Sequence, residues 1–153
     1  MKKENIRRIR KSLGMKIKYH DPELIHVEKH SHGDWIDLRA AETVRIEKGT
    51  FYPISLGISV QLPPGYEMIL EQRSSLTKKW GLVKATSGII DETFCGDNDI
   101  VTFGVVAIRD TVVNKNERIC QFRLQKHMPA LDIEEVETLG NPDRGGEGST
   151  GLI

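Results

Sequence analysis

Cysteine, aromatic residues and long apolar runs are all scarce in this chain of 153 residues. Its two cysteines, Cys95 and Cys120, form no C-x-x-C pair, so a dithiol redox motif and a cysteine-rich zinc site are excluded. No signal peptide is evident, because the basic start runs into Ser12-Leu13-Gly14 rather than an apolar block. A reduced, cytoplasmic protein is expected. Phe, Trp and Tyr make up 6% of the residues, too few for a surface that stacks single-stranded bases. No apolar run approaches the ~20 residues that cross a bilayer, which excludes a membrane-spanning helix.

What is present fits one ordinary domain, with 38% hydrophobic residues. The net charge is zero, but it is unevenly spread. Residues 1–18 carry eight Lys or Arg against Glu4, leaving the remainder acidic by seven charges. An acidic body is a poor general surface for nucleic acid, and any anionic ligand must be held by a few placed cations. Met15 reads as the working start, which makes residues 1–14 a basic appendage.

The dominant period is two. Ile54, Leu56, Ile58, Val60 and Leu62 alternate with Ser55, Gly57, Ser59 and Gln61, which predicts one half-buried strand. Pro63-Pro64-Gly65 then predicts a hairpin-like reversal into Tyr66, Met68 and Leu70. Ile119–Leu124 predicts another strand, with Cys120, Phe122 and Leu124 on one face and Ile119, Gln121 and Arg123 on the other. Shorter strands are expected at Met15–Tyr19, Trp35–Ala40, Thr43–Ile46, Gly88–Ile90, Val101–Ile108 and Ala130–Val136. Helical spacing is confined to Asn5–Lys11 and Ser75–Trp80. Many short strands separated by turn residues predict an all-β barrel or sandwich. From Gly140, Gly, Pro, Ser and charge replace apolar residues, which predicts a flexible C-terminal arm over 140–153 behind a barrel over 15–139.

Three segments could carry chemistry. Arg73-Ser74-Ser75-Leu76 follows a strand and outlines a phosphate site of guanidinium, hydroxyls and helix N-terminus; it also reads as a simple helix cap. Asp91 follows Ile89-Ile90 and could be half-desolvated, with a raised pKa, as a general base; it also reads as an ordinary turn residue. Arg144 and Gly145 through Gly151 could wrap an anion, with Ser149 and Thr150 as donors; a plain glycine-rich terminus is the alternative. His26, His30 and His32 with Glu28 lack a partner that would fix a zinc geometry and fit an exposed loop. Trp35 and Trp80 read as packing residues, and Cys95 and Cys120 as inert core thiols.

In order, these segments resemble the five motifs of the trimeric deoxyuridine triphosphate nucleotidohydrolase (dUTPase) family, in the style of Gram-positive bacteria and their phages. Asp37-Leu38-Arg39-Ala40 is similar to the first motif and Arg73-Ser74-Ser75-Leu76 to the second. Gly88 through Gly96 is similar to the third, Glu117 through Gln121 to the fourth, and Arg144 through Gly151 to the fifth. The resemblance implies a homotrimer of distorted jelly-roll barrels with a swapped C-terminal arm, hydrolysing dUTP to dUMP and pyrophosphate with Mg²⁺. It further implies Asp91 as the residue that activates the attacking water and Asp37 as a metal residue acting through water. Arg73, Ser74, Ser75, Gln121, Arg144, Ser149 and Thr150 would hold phosphates. Gly88, Ile89, Ile90 and Phe94 would hold uracil and deoxyribose, Phe94 leaving no room for a 2′-hydroxyl. No membrane or nucleic-acid partner is implied; a protein partner such as a repressor is a further possibility from phage members. A dCTP deaminase shares the Arg-Ser-Ser-Leu segment but lacks the glycine-rich tail.

The sequence departs from the pattern at four places. Gln72 stands where Pro is usual, Phe94 where Tyr is usual and Cys120 where Ala is usual. Glu147 stands where a Phe normally lids the uracil, and the fifth motif is two residues shorter. A carboxylate cannot replace a stacking ring, so either another aromatic lids the uracil, with Phe103 as the candidate, or the lid is absent and affinity is lower.

Overall fold

The computed structural model describes residues 12–29, 32–146 and 151. The helix expected at Asn5–Lys11 and most of the basic head lie outside them. The first strands are β1 (Lys16–Tyr19), β2 (Ile36–Arg39), β3 (Val44–Ile46), β4 (Phe51–Ser55), β5 (Ile58–Gln61) and β6 (Tyr66–Gln72). They are followed by α1 (Leu76–Trp80), β7 (Leu82–Lys84), β8 (Ile89–Ile90), β9 (Thr102–Ala107), β10 (Thr111–Val113) and β11 (Arg118–Lys126). The sheets run β1-β5, β10-β3, β2-β11-β6-β8 and β4-β9-β7. Among the described residues every pairing is antiparallel, and none joins strands consecutive in sequence. This far-reaching pairing is the distorted jelly-roll barrel expected from the sequence.

The long alternating run is two strands. Ile54, Leu56, Ile58, Val60 and Leu62 are all buried as expected, but Gly57 and Ser59 are buried as well, so the half-buried alternation fails over 56–60. Ser59 is satisfied there by His20 Nε2 at 2.7 Å and Asp99 O at 2.9 Å. The continuous strand fails too, because the chain crosses at Gly57 from β9 to β1. Leu56 N–H still bonds Val101 O at 3.0 Å, while Gly57 O accepts His20 N–H at 2.9 Å. Gly57 has φ +64°, and a Cβ there would lie 2.5 Å from Leu24 Cδ1 and 2.8 Å from Ala41 Cβ. The corner therefore requires glycine. The expected hairpin at Pro63-Pro64-Gly65 is also corrected. Tyr66 N–H closes the turn on Pro63 O at 3.2 Å, yet β5 pairs with β1 and β6 with β11 and β8.

Ala130–Val136 forms no strand. Its apolar residues, with their neighbours, face solvent: Met128, Leu131, Ile133, Val136 and Leu139 are all more than half exposed. The sequence reading missed β7, β10 and the start of β4, each short or interrupted by Pro53. α1 buries Leu76 and Trp80, one turn apart on the same face. It ends where Gly81 enters the left-handed region at φ 63° and bonds Thr77 O at 2.8 Å.

Candidate active site

Three adjacent strands build the first cleft. In the antiparallel ladder, Gln121 on β11 lies directly across from Asp37 on β2. Cys120 pairs with Gln72, so Arg73 and Ser74 emerge beside them at the end of β6. Arg73 Nε donates to Asp37 Oδ1 at 3.0 Å, and Arg118 Nη1 stands 3.7 Å from Asp37 Oδ2. Arg73 Nη1 also donates to Arg118 O at 3.4 Å, and Gln121 Nε2 to Gln72 O at 3.2 Å. Asp37 and Gln121 join Arg73, Ser74, Arg118, Trp35, Asp34, Gly33 and His32 around a cleft of about 480 Å³. Two guanidinium groups over one carboxylate make a place suited to a polyanion.

Arg118 was not singled out from sequence, and β11 shows why. The β2 pairing slips between Arg118 and Cys120, leaving Ile119 as an extra residue. Ile119 and Cys120 are both buried, so Arg118 and Gln121 both reach the cleft, which strict alternation forbids. Glu117 braces this turn by accepting Trp80 Nε1–H at 3.1 Å and Asn114 N–H at 2.9 Å. Trp35 is half-buried at the cleft with the Arg123 guanidinium 5.7 Å from its ring, rather than in the core; Trp80 does pack there.

Ser75 occupies the N-cap of α1 without a side-chain capping hydrogen bond, and it does not line the cleft. The helix has five residues, too short to lend much dipole, so the cleft's positive character comes from its arginines.

A second cleft of about 360 Å³ is lined by Ile89, Ile90, Asp91, Thr93 and Phe94. Gly88 makes it possible: Leu70 N–H bonds Gly88 O at 2.6 Å, and a Cβ at Gly88 would lie 2.6 Å from Leu70 O. Asp91 is exposed rather than half-desolvated. Its Oδ1 accepts Thr93 N–H at 2.8 Å and Thr93 Oγ1–H at 2.7 Å. Those hydrogen bonds, backbone first, hold its carboxyl below the usual carboxylate range, against the raised value expected from sequence.

The two clefts share no lining residue. Ile90, the last residue of β8, pairs with Met68, and Arg73 follows the end of β6 five residues further along the chain. At about 3.3 Å per residue, that is roughly 16 Å. Arg144 lies exposed in the C-terminal segment, whereas Ser149, Thr150 and Glu147 fall outside the described residues. Phe103 is 1% exposed inside the barrel and cannot stack on a ligand, which removes it as a lid.

Cys120 is buried, and burial first, then the Asp37 charge, pushes its thiol pKa up; it is inert as expected. Cys95 is exposed, contrary to the expected core position. His26 stacks on Tyr19 at 4.0 Å, and His30 lies outside the described residues. Among the described residues, no three His, Cys, Asp or Glu cluster to hold a metal, and no helix is long and apolar enough to cross a membrane.

Comparison with known proteins gives a consistent answer. The dUTPase family model matches residues 27–151. The chain is 51% identical over 138 residues to the SPbeta prophage-derived deoxyuridine 5'-triphosphate nucleotidohydrolase YosS of Bacillus subtilis (strain 168), covering 90% of this chain and 97% of that protein. It is 35% identical over 144 residues to the corresponding nucleotidohydrolase of Clostridium acetobutylicum, covering 92% and 98%. Among solved structures, a mutant Staphylococcus bacteriophage 80alpha dUTPase with dUpNHpp superposes with TM-score 0.73 at 21% identity, covering 92% of this chain and all of that one. A mutant dUTPase from phage phi11 of S. aureus, which coordinates a structural Mg(II) ion, gives TM-score 0.71 at 17% identity, covering 82% and 98%. At those identities the structural likeness is one of fold.

Proposed function

Because the chain belongs to the dUTPase family and is a dUTP-hydrolysing enzyme, we propose that its active site is assembled between copies of the chain, as a homotrimer, from the two separate clefts. The supporting observation is their separation along β6. In this reading Arg73, Ser74 and Gln121 of one copy hold the triphosphate, with Arg118 beside them, and Ser75, outside the cleft wall at the start of α1, serves only by following Ser74 in the chain. Gly88, Ile89, Ile90 and Phe94 of another copy hold the deoxyuridine and carry Asp91 to the innermost phosphorus. Arg144, Ser149 and Thr150 of the arm close over the phosphates, and the exposed apolar row from Met128 to Leu139 lies against a neighbouring copy.

Asp91 is ionised at neutral pH, held by Thr93, and aims and deprotonates a water. A tetra-anionic substrate docking beside it raises its proton affinity at the step where that is needed. Arg73 and Arg118, already oriented on Asp37, meet the charge that develops on the leaving pyrophosphate. The donor set fits Mg²⁺: one carboxylate, Asp37, beside a phosphate cradle suits a cation that binds through few carboxylates, phosphate oxygens and retained waters. When bound there, the ion supplies charge neutralisation across the triphosphate.

The test is complementation. Arg73→Ala and Asp91→Asn proteins are each expected to be inactive in pyrophosphate release from dUTP. Unfolded and refolded together, they should regain activity in trimers that pair an intact copy of each cleft. Failure to regain any activity, with mixed trimers verified by mass, would sink the shared site. Parallel assays with dTTP, dCTP and UTP define the base and sugar preference, and ammonia release from dCTP would reveal a deaminase.

A further inference from the structure

The cleft that carries Asp91 is weakly attached to the barrel. β8 has two residues and lies at the edge of its sheet, paired with β6 at Ile69–Ile89 and Met68–Ile90. Beyond Ile90 the chain leaves the sheet. The Thr93 hydrogen bonds shape the turn around Asp91, but they are local and do not tie it to anything behind it.

Glu92 supplies such a tie. Its Oε2 accepts the backbone N–H of Gly65 at 2.9 Å, and its Oε1 lies 3.9 Å from His127 Nδ1. Gly65 O in turn accepts the backbone N–H of His127 at 2.9 Å. Three distant segments thus meet at one carboxylate: the Pro63-Pro64-Gly65 turn, the end of β11 and the turn after β8. The first is a stiff point of attachment, because two prolines have fixed φ. The second is the strand that carries Gln121 in the other cleft.

We infer that Glu92 is a positioning residue for Asp91, clamping the turn to the Gly65 amide and the end of β11 so that the neighbouring carboxylate is held at one height above the sheet. The inference rests on the reading of Asp91 as the group that aims the water. Glu92 touches neither water nor nucleotide in this role. Its effect is geometric, and geometry is costly to lose, since a shift of about 1 Å in a reacting group lowers rates by about 10²-fold.

The test compares Glu92→Ala, Glu92→Gln and Asp91→Asn in the full chain. Steady-state kinetics on dUTP are combined with titration of a non-hydrolysable dUTP analogue and hydrogen exchange over residues 91–94. Glu92→Ala is expected to lower kcat about tenfold, with KM and analogue affinity within about threefold, and to speed exchange in the turn. Glu92→Gln keeps an oxygen that accepts the Gly65 N–H, so it should retain at least about half of the kcat and the slow exchange. Unchanged kcat in Glu92→Ala, an equal loss of kcat and analogue affinity, or a Gln variant as impaired as Ala would each overturn the positioning role. If Asp91→Asn turns over dUTP normally, the reading of Asp91 itself fails. If Asp91→Asn is inactive while Glu92→Ala is unaffected, only the positioning role fails.

Discussion

Arg73 is held against Asp37, Nε to Oδ1 at 3.0 Å, so the guanidinium proposed to receive phosphate is already aimed and partly neutralised by a carboxylate. Arg118 approaches the same carboxylate at 3.7 Å. In the proposed site Asp37 would therefore temper the attraction of the cleft for anions, product included.

Asp37→Asn removes that negative charge while keeping the shape. A unit charge at about 4 Å is worth ~1 kcal/mol in water and ~4 kcal/mol at an effective dielectric of 20. Taking the water-like end of that range, pyrophosphate should inhibit the variant at least about fivefold more strongly, while its Mg²⁺ requirement rises. Inhibition constants measured across a Mg²⁺ series check both, and weaker product inhibition would contradict the tempering role.

Asp91 should remain ionised into acid solution, because the Thr93 donors lower its pKa from the ordinary 3.8. The acid limb of kcat/KM for dUTP, which reports the free enzyme, then lies below the usual carboxylate range. Thr93→Val keeps the backbone donor and loses the hydroxyl donor, so the limb should move upward. The stability linked to the depressed pKa is complete above the unfolded value and is lost as pH falls through the folded one. Rate and melting profiles against pH, taken on both proteins, measure the two shifts; an unmoved limb would exclude Asp91 as the titrating base.

Gly88→Ala should damage the second cleft. The residue sits at φ +67°, and its new methyl would meet backbone, Leu70 O, at 2.6 Å. A loss of about 1–3 kcal/mol is expected, with weaker analogue binding. Calorimetry and titration read the two effects.

Truncation after Gly140 should abolish hydrolysis and leave the oligomer intact, because the proposed arm donors are removed while the barrel is not. Removal of residues 1–14 should alter neither. Light scattering with a pyrophosphate assay distinguishes the cases, and full turnover by the truncated protein would exclude the arm from the site.

The apolar half of the burial pattern was legible, since Ile54, Leu56, Ile58, Val60 and Leu62 are buried, but the polar half was not: Gly57 and Ser59 are buried too, because β5 is covered on both faces. Periodicity does not say where a strand changes sheets, so the corner at Gly57 was invisible until its φ and its neighbours were known. Asp37, Arg73, Ser74 and Gln121 were legible as one group only through the order of the motifs, and the structure brings them to one cleft. Arg118 was hidden by the extra residue at Ile119, which inverts the facing that alternation assigns. The environment of Asp91 was misread because two apolar neighbours in sequence do not desolvate a side chain that turns outward, and its hydrogen-bond donor lies two residues on. Phe103 failed as a lid for a related reason: aromatic character is visible in sequence, but depth in the barrel is not.

Met128, Leu131, Ile133, Val136 and Leu139 leave one copy of this chain with a greasy seam in water. In the proposed trimer, at about 25 cal/mol for each Å² covered, closing that seam adds stability that a dilute, solitary chain cannot have. The melting temperature should therefore climb with protein concentration, and refolding yields should depend on how soon copies encounter one another relative to how soon they clump.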